Sequence, residues 1–389
     1  MDKGIAAQSK ELMNYIRSKD GTWLATVILT ITIVITVIAM FSYVTGKLRL
    51  RRVNCQKMDN RYGLYPSQTV KTLDTSLEKY KLHDFYIKTA YNCCSGGQFR
   101  NSFVDLCHLK TAIRQGCRVL DFEIYSVDNE PVIATSSNPM VVDNKINQMG
   151  FTFKETYNQI PLGEALSIVN RMAFSGDCPN QDDLLILHLR IKSTNRDIYS
   201  KISNKINQTL SGYLLPQEYG NENGGENITT KSIGDLKSSG RVLICVDKTN
   251  PMYVDTPLFN YVNMATNSST VRKYNSFEIR DIANFEELTN FNKVNMTMVT
   301  PNVGTNNTNP PFNMCLSYGC QMIGMNLSKN DGNLELFEET FKSGAFVLKD
   351  ASLRKEFVEV APPDPNLKHD IKCETYFDAI TNTERNMCN

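Results

Sequence analysis

Asp121 and Glu123 stand two positions apart in RVLDFEIYSV (118–127), a run otherwise rich in Val, Leu, Ile and aromatic residues. Successive strand side chains alternate between faces, so this spacing turns both carboxylates to one side. LLILHLRI (184–191) repeats the pattern with His188 and Arg190. The other three histidines, His83, His108 and His369, fall in flanking or helical positions and read as ordinary surface or core residues.

The elements that must hold these residues alternate between strand and helix from about residue 83 to about 350. FYIKTA (85–90) reads as a strand, followed by an amphipathic helix over 102–115, with Ser102 and Asp105 as N-cap and partner and Gly116 as its stop. RVLDFEIYSV and PVIAT (131–135) read as the next strands, and a helix over 161–173 precedes LLILHLRI, apolar enough to be covered on both faces. A further helix spans 196–211 and RVLICVD (241–247) is again a strand. This repetition predicts a parallel α/β architecture, and periodicity alone does not choose between an open sheet and a closed barrel. The Asn-rich stretches 217–230 and 302–309 read as surface loops.

From Trp23 to Val44 no residue carries a charge. As a helix this segment is roughly 33 Å long, enough to cross a hydrocarbon core of about 30 Å. It is too long for the apolar part of a signal peptide, and no small-residue cleavage site follows. Lys3, Lys10, Arg17 and Lys19 precede it, while Lys47, Arg49, Arg51, Arg52, Lys57 and Arg61 follow closely. Six against four predicts a single-pass protein with a cytoplasmic body. Lys47, Arg49, Arg51 and Arg52 could sit on anionic headgroups or serve only as a stop-transfer flank. The span carries no small-xxx-small face for helix pairing.

Composition sets further bounds. The 42 basic and 41 acidic residues nearly cancel, which argues against a nucleic-acid partner, and 41% hydrophobic content suffices for a packed core. Eleven cysteines show no regular zinc or disulfide spacing, and those in apolar runs, such as Cys245, read as buried hydrophobes suited to a reducing compartment. Six Asn-x-Ser/Thr acceptor motifs (Asn207, Asn227, Asn267, Asn295, Asn306, Asn326) are about the number that chance gives in a chain this rich in Asn, Ser and Thr.

Two blocks carry a resemblance. GCRVLDFEIYSVDNEPVI (116–133), preceded by FYIKTAYNCCSGGQF, is similar to the X region of eukaryotic phosphoinositide-specific phospholipase C. YGCQMIGMNLSKNDGNLELFEETFKSGAFVLKDASLR (318–354) resembles the Y region, and DLKSSGRVLICVDK (235–248) the last strand of the X half. The resemblance implies a distorted (β/α)8 TIM-type barrel over 76–354, with its site at the C-terminal strand ends. It divides the chain into a flank (1–22), a transmembrane helix (23–44), a basic juxtamembrane linker (45–75), the barrel and a tail (355–389).

The same resemblance implies which residues should do chemistry. Two histidines are expected where this chain has Tyr91 and Thr135, neither of which titrates near neutral pH. Of four calcium ligands, Asn92, Asp121 and Glu123 remain, while Arg190 stands where a glutamate is expected. Its planar fork is then expected to occupy the space of the metal and pair with both acids, or, if the strand is shifted, to lie at the rim. Headgroup-binding positions carry Cys245, Asp247, Met298 and Thr300. These losses predict a catalytically inactive, membrane-anchored barrel that binds or supports, with the bilayer, an anionic lipid or a protein as partner and no cofactor. The alternative is a divergent phosphoric diester hydrolase acting on phosphatidylinositol-type lipids, with calcium as its cofactor.

Overall fold

The structure, a computed structural model, describes residues 2–389 apart from 19–20, 138–141, 144–147, 150–152, 221–226, 303, 305–307, 356–372, 379–382 and 389. Residues 2–354 form one unit and 355–389 a second. Eight parallel strands build the body: β1 (Phe85–Ala90), β2 (Val119–Val127), β3 (Leu185–Ile191), β4 (Val242–Asp247), β5 (Val262–Thr266), β6 (Val271–Asn275), β7 (Met296–Thr300) and β8 (Met322–Met325). They lie in the order β6-β7-β8-β1-β2-β3-β4-β5, a nearly closed barrel without a hydrogen-bonded ladder between β5 and β6. The strands at 85–90 and 185–191 are buried along their whole length, as a strand covered on both faces must be.

Local chemistry explains the boundaries. Helix α3 (Leu106–Arg114) is shorter than the 102–115 expected, because Asp105 alone caps it by accepting the Cys107 N–H at 2.8 Å. Gly116 ends it at φ 74, where a Cβ would strike Val70 and Asn180. The segment expected as the strand after β2 is instead its antiparallel partner: Glu130–Ile133 folds back on β2 through Asp128 and Asn129, at φ 51 and 60. Positive φ at both central residues is the two-residue hairpin turn that matches strand twist, and Asp and Asn tolerate it. Helices α4 (Leu162–Ala173) and α5 (Arg196–Leu210) then cover the outside between β2 and β4.

The largest departure lies before the barrel. Following helix α1 (Asp2–Arg17), α2 runs unbroken from Gly21 to Tyr62 and so takes in residues 45–62, which the sequence reading had as linker. It contains no proline. Between Trp23 and Val44 its side chains face outward, with Ile28 56% and Phe41 70% exposed, whereas Asn54 and Met58 in the second half are buried. This one helix is long and apolar enough to cross a membrane.

The second half of α2 packs against α3. Arg51 pairs with Asp105, Lys47 reaches the Asn101 carbonyl at 3.4 Å, and Arg61 holds Glu338 at 3.0 Å. Cys55 and Cys107 form a disulfide, with their Cα atoms 5.9 Å apart. This corrects the expectation of uniformly reduced cysteines. The pair is separated by 52 residues and is brought together only by docking, so linear spacing could not show it. The other cysteines described with side chains, seven in number, are all buried. In the second unit an antiparallel hairpin (Cys373–Asp378 with Thr383–Cys388) sets Cys373 opposite Cys388 in register.

Replacing Cys107 by Ser is expected to destabilise the full-length protein by about 2–4 kcal/mol, since the bridge restricts a long loop of the unfolded chain. Thermal melts in detergent, with and without reductant, check this: reductant should lower the wild-type midpoint and leave that of the variant unchanged.

Candidate functional site

The C-terminal ends of the strands converge on a buried polar cluster whose parts come from alternate positions. Asp121, Glu123 and Tyr125 share one face of β2; His188 and Arg190 share one face of β3, and Lys192 follows at the same parity. The parallel register sets Asp121 beside His188 and Glu123 beside Arg190. Asn92 enters from the turn after β1, at φ 45, a conformation Asn tolerates better than most residues.

Arg190 sits at the centre. Its Nε donates to Asp121 Oδ1 at 2.9 Å, Nη1 to Glu123 Oε2 at 3.0 Å, and Nη2 to Asp121 Oδ2 at 2.8 Å and Asn92 Oδ1 at 2.7 Å. The guanidinium carbon lies 4.5 Å from the centroid of the Tyr91 ring, in cation–π contact. The acids have further donors. Asp121 is met by His188 Nδ1 at 2.7 Å and the Asn92 N–H at 2.9 Å. Glu123 is met by Lys192 Nζ at 2.7 Å, the Ser136 N–H at 3.1 Å, Asn92 Nδ2 at 3.2 Å and the Tyr125 hydroxyl.

These contacts fix the charge states. Burial pushes the Asp121 carboxyl up, but Arg190 and the His188 hydrogen bond outweigh it and hold the group well below the usual carboxylate range. Burial acts on Glu123 in the same sense and is outweighed by Lys192 and then Arg190, so its net shift is also downward. Burial alone would lower Arg190, yet Asp121 and then Tyr91 and Glu123 raise it well above its ordinary value. Both acids are ionised and the guanidinium stays charged.

Neither expected histidine position supplies acid–base chemistry. Tyr91 is buried, with its hydroxyl pushed further up by burial, and Thr135 donates to the Phe99 carbonyl at 2.8 Å. His188 is fully buried beneath Arg190, with its Nε2 on Thr266 Oγ1 at 3.2 Å. His83 and His108 are buried elsewhere, and His369 lies outside the described residues.

Above the cluster opens a cleft of about 270 Å³, lined by Tyr91, Arg190, Lys192, Asp247, Lys273 and Thr300 among others. Asp247 binds Lys273 Nζ, Thr249 Oγ1 at 2.7 Å and Asn267 Nδ2 at 3.2 Å. Burial raises its carboxyl, but Lys273 more than offsets that and the net shift is downward. Cys245 and Met298 do not reach the cleft; they lie with Met264 and Met322 in the apolar barrel interior. Of the basic stretch after the span, Lys47 and Arg51 have partners on the barrel rather than being turned wholly to headgroups. Tyr125 and Lys192 are not among the residues expected from the sequence, though each continues the alternation of Asp121 with Glu123 and of His188 with Arg190. Lys273 left no such signal, because its meeting with Asp247 depends on how β4 and β6 are placed around the barrel.

A calcium ion takes about six to eight hard oxygen ligands. Both Asp121 oxygens, both Glu123 oxygens and Asn92 Oδ1 already accept from side-chain or backbone donors, and Arg190 occupies the space between them. These residues do not fit the ion.

Solved structures share this architecture. The chain aligns with S. officinalis PLC21 at a TM-score of 0.52 and 14% identity, over 72% of this chain and 38% of that one. L. pealei PLC21 gives the same values. A calcium-dependent phosphoinositol-specific phospholipase C from Pseudomonas sp. aligns at 0.42 and 12%, over 68% of this chain and 98% of the other. The barrel therefore has the fold of the phosphoinositide-specific phospholipases C. The chain spans well under half the length of the two PLC21 structures. No family model and no curated sequence matches.

Replacing Arg190 by Leu leaves two buried acids facing each other and is expected to cost about 3–5 kcal/mol at neutral pH. The pH response should reverse. In the wild type the depressed carboxyls contribute stability that is complete above their ordinary values of 3.8 and 4.5 and is lost as acid passes through their lower folded values. In the variant Glu123 keeps Lys192, but Asp121 loses its principal counter-charge and burial raises its folded value above the unfolded one, so acidification from pH 7 to about 5 should stabilise the variant. Denaturant unfolding at the two pH values distinguishes the cases.

Proposed function

We propose that this protein is a membrane-anchored, phospholipase C-like barrel without catalytic activity that acts as a binding or structural protein. The observation that supports this most is the Arg190 fork between Asp121 and Glu123, which occupies the centre where a phosphodiesterase would need an open cation site. Acid–base catalysis needs a group that exchanges protons with substrate near neutral pH. Among the described residues lining the cleft there is no histidine, and His188 has no route to a ligand above Arg190. A divergent hydrolase would need both lacks made good, and no observation favours it.

Full-length protein in liposomes should show no turnover of phosphatidylinositol or its phosphates, with or without calcium. Calcium should also leave its melting temperature unchanged. Turnover that disappears in Asp121→Asn would overturn the reading, and a calcium-dependent rise in melting temperature would overturn the argument from Arg190.

The anchor is the charge-free, outward-facing half of α2. For the side of the membrane, two observations pull apart. Flanking charges, six against four, favour a cytoplasmic body, whereas the Cys55–Cys107 disulfide favours an oxidising compartment. We give the disulfide more weight, because the charge margin is two residues and part of the basic stretch is used in docking. On this reading Asn207, exposed on α5 within an Asn-Gln-Thr motif, is open to glycosylation. Translation with microsomes should give a glycosidase-sensitive mass increase that Asn207→Gln reduces. Absence of any modification would return the body to the cytoplasmic side.

A further inference from the structure

Helix α2 determines how the barrel faces its membrane. Its docked half runs in the same direction as α3: Lys47 meets Asn101, Arg51 meets Asp105, Cys55 meets Cys107, and Gln115 Nε2 reaches the Tyr62 carbonyl at 3.4 Å. Helix α3 begins after the C-terminal end of β1 and descends to the start of β2. Its N-terminus therefore lies at the level of the cleft and Gln115 at the opposite end. It follows that the membrane-length half of α2 leaves the barrel at the cleft end. Val44 precedes Lys47 by three residues, about 5 Å along the helix. The helix continues unbroken through this junction, where Thr45 Oγ1 also bonds the Phe41 carbonyl at 2.8 Å.

We propose that α2 is a strut, pinned by the Cys55–Cys107 bridge, that holds the open end of the barrel against the headgroups of the bilayer the chain itself crosses. The inference rests on the anchor reading given above. The partner it assigns is that lipid surface, and the cleft above the Arg190 cluster, with its paired charges, opens toward it. The loops at this end suit an interface. Phe153, Tyr157 and Phe277 follow the C-terminal ends of barrel strands or of the hairpin on β2, and they are 75%, 48% and 62% exposed. Lys47 Nζ lies 5.6 Å from the Tyr43 ring centroid at the end of the span. Aromatic and basic side chains of this kind are favoured at headgroup depth.

The test uses the full-length chain in liposomes. With its single tryptophan removed by Trp23→Phe, one reporter is introduced as Phe277→Trp, at the cleft end. A second protein carries Lys79→Trp, which is exposed ahead of β1 at the far end. The two ends are separated by the length of the strands, about 20 Å for six residues. Lipids spin-labelled on the headgroup should cut the fluorescence of the first protein roughly twofold, as for a group at interfacial depth, and leave the second unchanged. Equal quenching of both, or quenching of the Lys79→Trp protein alone, overturns the proposed orientation. Retention of the protein in the membrane under alkaline carbonate is measured on the same samples. Release would sink the anchor reading and the proposal with it, whereas retention without quenching at position 277 sinks the orientation alone.

Discussion

A guanidinium closed off between two carboxylates is stable only while its donors and their acceptors are matched, because each ion has given up its water. Arg190 meets this condition by drawing on three separate elements: Asp121 and Glu123 from β2, its own place on β3, and Asn92 from the turn after β1. The positive φ of Asn92 is part of the same arrangement, since that conformation lets its backbone N–H reach Asp121 while its side chain bridges Arg190 and Glu123. Tyr91 closes the face of the guanidinium with an aromatic ring. Strand register, turn geometry and charge are thus mutually dependent, and a slip of one residue in β3 would bring Leu189 to face the acids instead.

Much of this was legible in the sequence because strand parity is a local property. The alternation in RVLDFEIYSV and LLILHLRI puts the two acids on one face of their strand and His188 and Arg190 on one face of theirs, and the parallel register of β2 with β3 brings them level. The same reasoning, carried two residues further on each strand, reaches Tyr125 and Lys192. What parity cannot give is the pairing of residues that meet through the closing of the barrel, such as Asp247 with Lys273, or through the docking of a helix, such as Cys55 with Cys107. The juxtamembrane segment was misread for a different reason. Its basic residues read as a linker that contacts headgroups or stops transfer, yet Asn54 and Met58, at i and i+4, form the narrow stripe that packs on the barrel.

The hairpin turn at Asp128-Asn129 shows how a local rule can redirect a global one. PVIAT has the composition of a barrel strand, but a two-residue turn with both residues at positive φ obliges it to return antiparallel along β2. That return brings Ser136 to the cluster, where its N–H binds Glu123, and turns Thr135 away to Phe99. The position at which the sequence resemblance implies an acid–base residue therefore supports the loop, while its neighbour satisfies one of the acids.

Charge balance explains why one arginine is not enough to neutralise the cluster. Asp121 and Glu123 together carry two negative charges, and a divalent ion would match them with a charge that exchanges with solvent. Here Arg190 supplies one positive charge and Lys192, 2.7 Å from Glu123, supplies the other. The two cations sit two residues apart on one strand, the same spacing as the two acids on its neighbour, so a neutral four-charge lattice is written into a pair of adjacent strands. An ion held by oxygen ligands can leave and let substrate oxygens take its place; covalently attached cations cannot. The four charges therefore form a structural centre rather than an exchangeable one, and what the cleft offers a ligand is the outer face of that lattice together with the Asp247–Lys273 pair.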